Sequence, residues 1–126
     1  MQEEARALNL NELDLEKVAS HGGKGEILFH RVFPGAAFQG PVNFVDYAVL
    51  PPGTSIGIHT HGKDEEIYLV LEGEGVMHLD GKEFPVRPGH VILNGPGGTH
   101  GLENTGDEVL KLYVIEVRLG KDKDHA

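Results

Sequence analysis

Cysteine is absent from the chain, so disulfides and thiolate metal sites are both excluded. Cationic side chains are scarce. Eleven Lys and Arg stand against 20 Asp and Glu, for a formal charge of −9. That balance repels phosphate backbones and anionic bilayers, so neither nucleic acid nor a membrane is expected as a partner. Long apolar runs are lacking as well. No stretch approaches the roughly 18 residues of a membrane span, and the start "MQEEARALNL" is too acidic for a secretory leader. The expectation is a soluble cytoplasmic protein. Helix signals are confined to the first 20 residues, where Asn11 is placed to cap a short helix from Glu12 to Ala19 with Leu15 and Val18 turned inward.

Glycine and proline, by contrast, are plentiful at 18 and 7 of 126 residues. They punctuate strand-like runs: "EILFHRVF", "NFVDYAVL", "SIGIHTH", "EIYLVLE", "GVMHLD", "KEFPV", "HVILN", "THGLEN" and "EVLKLYVIEV". Between them lie turn signals such as "PPG", "HGKD", "EGEG", "LDGK" and "NTGD". Short strands at this spacing predict an all-β antiparallel sandwich or barrel. The length fits one domain, and the 39% hydrophobic content suffices for one core. The expected organisation is an extension over 1–25 that ends in the joint "HGGKG", a β-barrel over 26–118 and a polar tail over 119–126.

The segment "GIHTHGKDEEIYLVLEGEG" gathers four ligand-type side chains at the mouth of an apolar strand. Residues i and i+2 of a strand share a face, so His59 and His61 project together. After the short "GKD" turn a neighbouring antiparallel strand begins with Glu65 and Glu66. Either glutamate is placed to complete a coordination set. With Glu66 inward, Tyr68 and Val70 face in and Ile67, Leu69 and Leu71 face out. With Glu65 inward the three aliphatics face in. Simple burial favours Glu65, but both faces are apolar enough to be covered, and alternation leaves two solutions.

The spacing G-x5-H-x-H-x4-E-x6-G is met by Gly53, His59, His61, Glu66 and Gly73. It resembles the first motif of the cupin superfamily. The second cupin motif, G-x5-P-x-G-x2-H-x3-N, is matched in register by Gly89, Gly97, His100 and Asn104. Gly95 stands where that motif has proline, and Pro96 follows; the departure touches a turn and not a ligand. The resemblance implies a single-domain jelly-roll β-barrel with a short N-terminal helix or extension. It implies the metal ligands His59, His61, Glu66 and His100, with Glu65 pointing away. Three imidazoles and a carboxylate suit Mn, Fe, Co, Ni, Cu or Zn and are too nitrogen-rich for Mg or Ca. Four protein ligands leave open positions on an octahedral ion, as catalysis requires.

Asp46 is a charge flanked by Val45 and Tyr47 in an apolar strand, costly to bury without a partner. In cupins the strand before the "PPG" turn lines the pocket, which makes Asp46 a candidate acid or base. Tyr68 shares the parity of Glu66 and is a second candidate. His30 and His78 sit mid-strand, where each could line the pocket but is expected as a satisfied or half-exposed histidine; His90 sits in a turn and is expected exposed; His21 and His125, in a loop and a tail, are assigned no role. Small cupins include dioxygenases, decarboxylases of compounds such as oxalate, and sugar isomerases. "HGGKGEILFHRVF" adds a likeness to the oxalate-decarboxylase type. The expected function is a metal-dependent enzyme of the dioxygenase or decarboxylase type acting on a small oxygen-rich molecule. The alternatives are a binding module for a small sugar or carboxylate and a sugar isomerase. The outward aliphatics need cover, and small cupins commonly pair by sheet packing, so a homodimer is expected.

Overall fold

A computed structural model describes residues 7–119. Ten strands follow in chain order: β1 Glu16–Val18, β2 Ile27–Pro34, β3 Val42–Leu50, β4 Ser55–Thr60, β5 Asp64–Glu72, β6 Gly75–Leu79, β7 Lys82–Val86, β8 Val91–Asn94, β9 Thr99–Glu103 and β10 Leu110–Arg118. They form a six-stranded sheet, in the order β1-β2-β3-β10-β5-β8, and a four-stranded sheet, β4-β9-β6-β7. All strand pairs are antiparallel. The result is an all-β jelly roll of two facing sheets that remain separate ladders. No helix among the described residues is long and apolar enough to cross a membrane.

The core fills the space between the sheets. Ala48, Leu50, Val70, Leu110 and Leu112 from the larger sheet meet Ile56, Met77 and Leu102 from the smaller one. Leu50, Met77, Leu102, Leu110 and Leu112 have no exposed surface, and each such side chain contributes about 1.5–3 kcal/mol of hydrophobic stabilisation. β3 is buried on both faces. Ala48 and Leu50 point inward, while Val45, Tyr47 and Val49 join a second cluster on the outer face of the sheet. Asp46 has the parity of the inward set and is buried.

The expected helix from Glu12 to Ala19 does not form. A 3-10 turn spans Leu10–Glu12, capped by Asn9 and not Asn11, and the chain then extends into β1. The free edge of β2 supplies the reason, because Val18 pairs with Ile27 there. Residues 15 and 18 share a side of a helix but take opposite faces of a strand. Leu15 accordingly joins Leu10 and Leu13 over the outer cluster, while Val18 packs on the inner core. The tail expected over 119–126 lies, apart from Leu119, outside the described residues.

Two motif residues have clear structural work. Gly73 adopts φ +85, and a Cβ there would strike the Val109 carbonyl oxygen, so only glycine fits the turn after β5. Asn104 is buried and pins two segments: its Nδ2 donates to the carbonyls of Leu50 and Glu108, each at 2.8 Å, and its Oδ1 accepts from the Gly106 amide at 2.9 Å.

Candidate metal centre

β4 and β9 bring His59 and His100 together as cross-strand partners, with ring centroids 4.5 Å apart. A β-bulge makes this possible. Ile56 pairs with Leu102 and His59 with His100, so Gly57 and Ile58 together oppose Gly101. The extra residue reverses the alternation. Ile56 and His59 therefore both face inward, and Ile58 turns out to solvent, 59% exposed. His61 follows two residues on, its ring 4.8 Å from that of His100.

β5 resolves the glutamate question. Tyr68 and Val70 are buried inward, and Glu66 shares their face and lines the cavity beside His59 and His61. Ile67, Leu69 and Leu71 are half-buried on the other face. The burial argument for Glu65 fails because the outer face of this sheet carries its own apolar cluster, which includes Leu71 and Ile115. Glu66 Oε1 lies 3.1 Å from His100 Nε2. Tyr68 meets the His100 ring edge-on at 5.3 Å.

The cavity has a volume of about 590 Å³. Asp46 lines it too, held by Arg31 through Nε–Oδ1 at 2.9 Å and Nη2–Oδ2 at 3.2 Å. That pair gives the buried charge the partner it needs. Three titratable lining residues were given no site role by sequence reasoning: His21, Arg31 and Glu116. Glu116 sits opposite Glu66 across β10 and β5 and accepts from Asn43 Nδ2 at 2.8 Å. It stands in "LYVIEVR", a lone carboxylate in an apolar run. The reasoning that singled out Asp46 applies equally there. His30, whose Nδ1 bonds the Asp14 carbonyl, and His78, beside Glu83, lie away from the cavity, and His90 bonds its own turn. His125 lies outside the described residues.

Burial dominates the electrostatics. It lowers His59 and takes His100 down to about 4, with His61 adding to the effect on His100. Both imidazoles are thus neutral at pH 7, the state in which a ring nitrogen can ligate. Burial raises Tyr68 well above its ordinary value, helped by the charges of Glu66 and Glu116, so its phenol keeps its proton. Glu116 is raised to about 7, first by burial and then by its hydrogen bond with Glu66. Burial raises Asp46 also, against the opposing pull of Arg31.

His59 Nδ1 is 2.7 Å from the Gly57 carbonyl oxygen. A carbonyl only accepts, so Nδ1 carries the proton and Nε2 keeps its lone pair. Both ring nitrogens of His61 and Nδ1 of His100 are buried without a hydrogen-bond partner among the described residues, and His100 Nε2 faces Glu66 Oε1 without forming a hydrogen bond to it. Orphans of this kind call for an unmet partner such as an ion. The 3.1 Å between His100 Nε2 and Glu66 Oε1 is near the roughly 3.0 Å that separates adjacent octahedral donors with bonds of about 2.1 Å. Among the described residues, no group of three or more His, Asp or Glu is placed to hold a metal ion as its side chains stand. The four side chains thus fit an ion in the chemistry of their donors, and would have to adjust their rotamers to close on it.

A small jelly roll with a histidine-lined cavity between its sheets defines a class of compact all-β proteins. The cupin domain model matches residues 46–116. The chain belongs to the cupin family. An oxalate-binding protein of Thermotoga maritima is 34% identical over 110 residues, covering 86% of this chain and 91% of the relative. The crystal structure of a predicted oxalate decarboxylase from Thermotoga maritima superposes with a TM-score of 0.86 at 33% identity, covering 90% of this chain and 99% of that one. A polyketide cyclase from Streptomyces resistomycificus shares the fold at 22% identity, with a TM-score of 0.75 over 94% of this chain and 89% of that one.

Proposed function

We propose that the chain is a metal-dependent cupin that takes a small carboxylate or similarly oxygen-rich molecule, with His59, His61, Glu66 and His100 as ligands of one divalent transition-metal ion. The observation that carries this reading is the set of buried ring nitrogens of His61 and His100 without hydrogen bonds, with His59, His61 and Glu66 lining one cavity and His100 directly behind them. The relative named as an oxalate-binding protein supports the carboxylate class. A bound ion would supply Lewis acidity, polarising substrate oxygens. The chain's own residues supply the rest. The Gly57 carbonyl accepts from His59 Nδ1 and so favours the tautomer with Nε2 free. Tyr68 stays protonated and is a donor toward substrate oxygen. Asp46, aligned by Arg31, is the group to accept or return a proton, which suits decarboxylation or oxidative C–C cleavage.

A relative known as an oxalate-binding protein equally favours a module that binds without turnover. Metal analysis of the purified protein, with anomalous scattering to place the ion, tests the ligand set. Titration with oxalate and a panel of small acids, enols and sugars, with dioxygen and carbon dioxide monitored, separates the two readings. Stoichiometric metal with binding and turnover is the expected result. Binding with no turnover across the panel leaves the module, and a protein that takes up no metal removes both. A homodimer belongs to the same proposal: β8 exposes Val91 by 65% and Leu93 by 61% beside Leu69 and Ile67 of β5, an apolar strip that a second copy would cover.

A further inference from the structure

His21 belongs to a segment that lies outside the 46–116 family match. Residues Ser20 to Lys24 are docked on β4 by their backbone. The Ser20 carbonyl accepts from the Gly57 amide and the Lys24 carbonyl from the Ser55 amide, both at 3.0 Å. Ser55 Oγ accepts from the Lys24 amide at 2.8 Å. The approach is so close that a Cβ on Gly23 would strike the Ser55 carbonyl oxygen, and one on Gly57 the His21 carbonyl oxygen. Within this strap His21 holds φ +52, in the left-handed region that non-glycine residues seldom occupy. Its ring lies on that of His59, centroids 3.5 Å apart and planes within 7°.

His59 is thereby restrained twice. The Gly57 carbonyl holds its Nδ1, and Gly57 is itself held through its amide by Ser20. The flat face of the ring is held by His21. A glycine would adopt the same backbone without cost but would bring no ring.

We infer that His21 is a positioning residue for the metal centre: by stacking on His59 it fixes the ring plane and, with the Gly57 carbonyl, keeps Nε2 as the free donor. The inference rests on the reading of His59 as a ligand. It makes the strap from Ser20 to Lys24 part of the functional unit and not a linker before the barrel. Outer partners that orient a ligand typically change metal affinity about 10–100-fold when removed.

The test compares wild type with His21→Phe, which keeps a flat ring but no ring nitrogen, and with His21→Ala and His21→Leu, which lose the stack. The strap is docked by main-chain groups, so all variants are expected to fold, and melting of the metal-free proteins checks it. Affinity for Co²⁺, read by competition with a chelating dye, should be within about 3-fold of wild type for Phe and about 10–100-fold weaker for Ala and Leu. Equal affinity in all four proteins overturns the inference. So does a Phe variant as weak as Ala, because ring nitrogen would then matter and stacking would not. A second readout uses the metal-free proteins. Nitrogen-15 spectra of the His59 ring should show a single Nδ1-protonated tautomer in wild type and Phe, and tautomer averaging in Ala and Leu. If wild type takes up no Co²⁺ the ligand reading fails, and these spectra still decide whether His21 orders His59. Identical spectra in all four proteins overturn that ordering.

Discussion

Glu66 and Glu116 are cross-strand partners on β5 and β10, two carboxyl groups on one wall of the cavity. In the metal-free protein Glu116 is raised to about 7 from 4.5, by burial first, and His100 is lowered to about 4 from 6.5, also by burial first. The two act with opposite sign. A carboxyl group with a raised folded pKa favours the fold most below 4.5, and that contribution is lost as pH climbs through about 7. An imidazole with a lowered folded pKa favours the fold most above 6.5, and its contribution is lost as pH falls toward about 4. Between these limits the limbs offset one another. Glu116→Gln removes one of them. Its melting temperature, measured with chelator present, should match wild type near pH 4 and exceed it increasingly up to pH 8. A gap of constant size would show that Glu116 does not titrate there.

The ligand assignment predicts a graded series. His59→Ala and His100→Ala should each weaken metal binding by more than about 100-fold, beyond the effect usual for outer partners. Both should also forfeit the added thermal stability that a tightly bound ion gives the folded state. Glu66→Gln should impair binding, and Glu65→Gln, which lies off the cavity, should leave it within about 3-fold. Metal content per chain and melting with and without metal provide the measurements. A Glu65 defect with a sound Glu66 variant would reverse the assignment.

The apolar strip of β8 and β5 predicts a dimer in solution. Leu93→Lys should shift the molar mass measured by light scattering from two chains toward one, while circular dichroism stays that of the wild-type sheet. Charge placed inside an apolar contact is strongly unfavourable unless paired. A wild type that is monomeric at high concentration would assign the strip another role.

Much of this architecture was legible because strand periodicity and turn residues are local. "NFVDYAVL" and "EIYLVLE" fall within β3 and β5, and the His-x-His spacing marks one face of an extended segment. What escaped was set by partners remote in sequence. The helix expected from Glu12 to Ala19 lost to the free edge of β2, which no local propensity reveals. The bulge at Gly57 and Ile58, which turns Ile56 and His59 to the same side, exists through pairing with β9 more than 40 residues on. Likewise Glu116 meets Glu66, and His21 meets His59, only after the sheets are assembled. Asp46 was visible as a misplaced charge, but its partner Arg31 was not, since "LFHRVF" reads equally well with the arginine in solvent.

That ion pair leads to the last prediction. If Asp46 accepts a proton from the bound molecule, it must be ionised to act, and activity falls as pH drops through its pKa. Burial raises that pKa, and the Arg31 hydrogen bonds, with its charge, lower it. Arg31→Gln removes the lowering influence and leaves the burial. The acid limb of kcat/KM should therefore move to higher pH in that variant, with metal content unchanged. Asp46→Asn keeps the shape and one acceptor for Arg31 while removing the base. It should retain metal and fold, and lose about 10²–10⁴ in turnover of the substrate identified in the panel. The pair of variants separates chemistry from packing. A structural role alone would lower stability in both and leave the position of the acid limb where it was in wild type. An unmoved limb in Arg31→Gln, together with near-normal turnover in Asp46→Asn, would take proton transfer away from this strand. Tyr68, which keeps its proton at the edge of His100, would remain as a donor but not as a base at neutral pH.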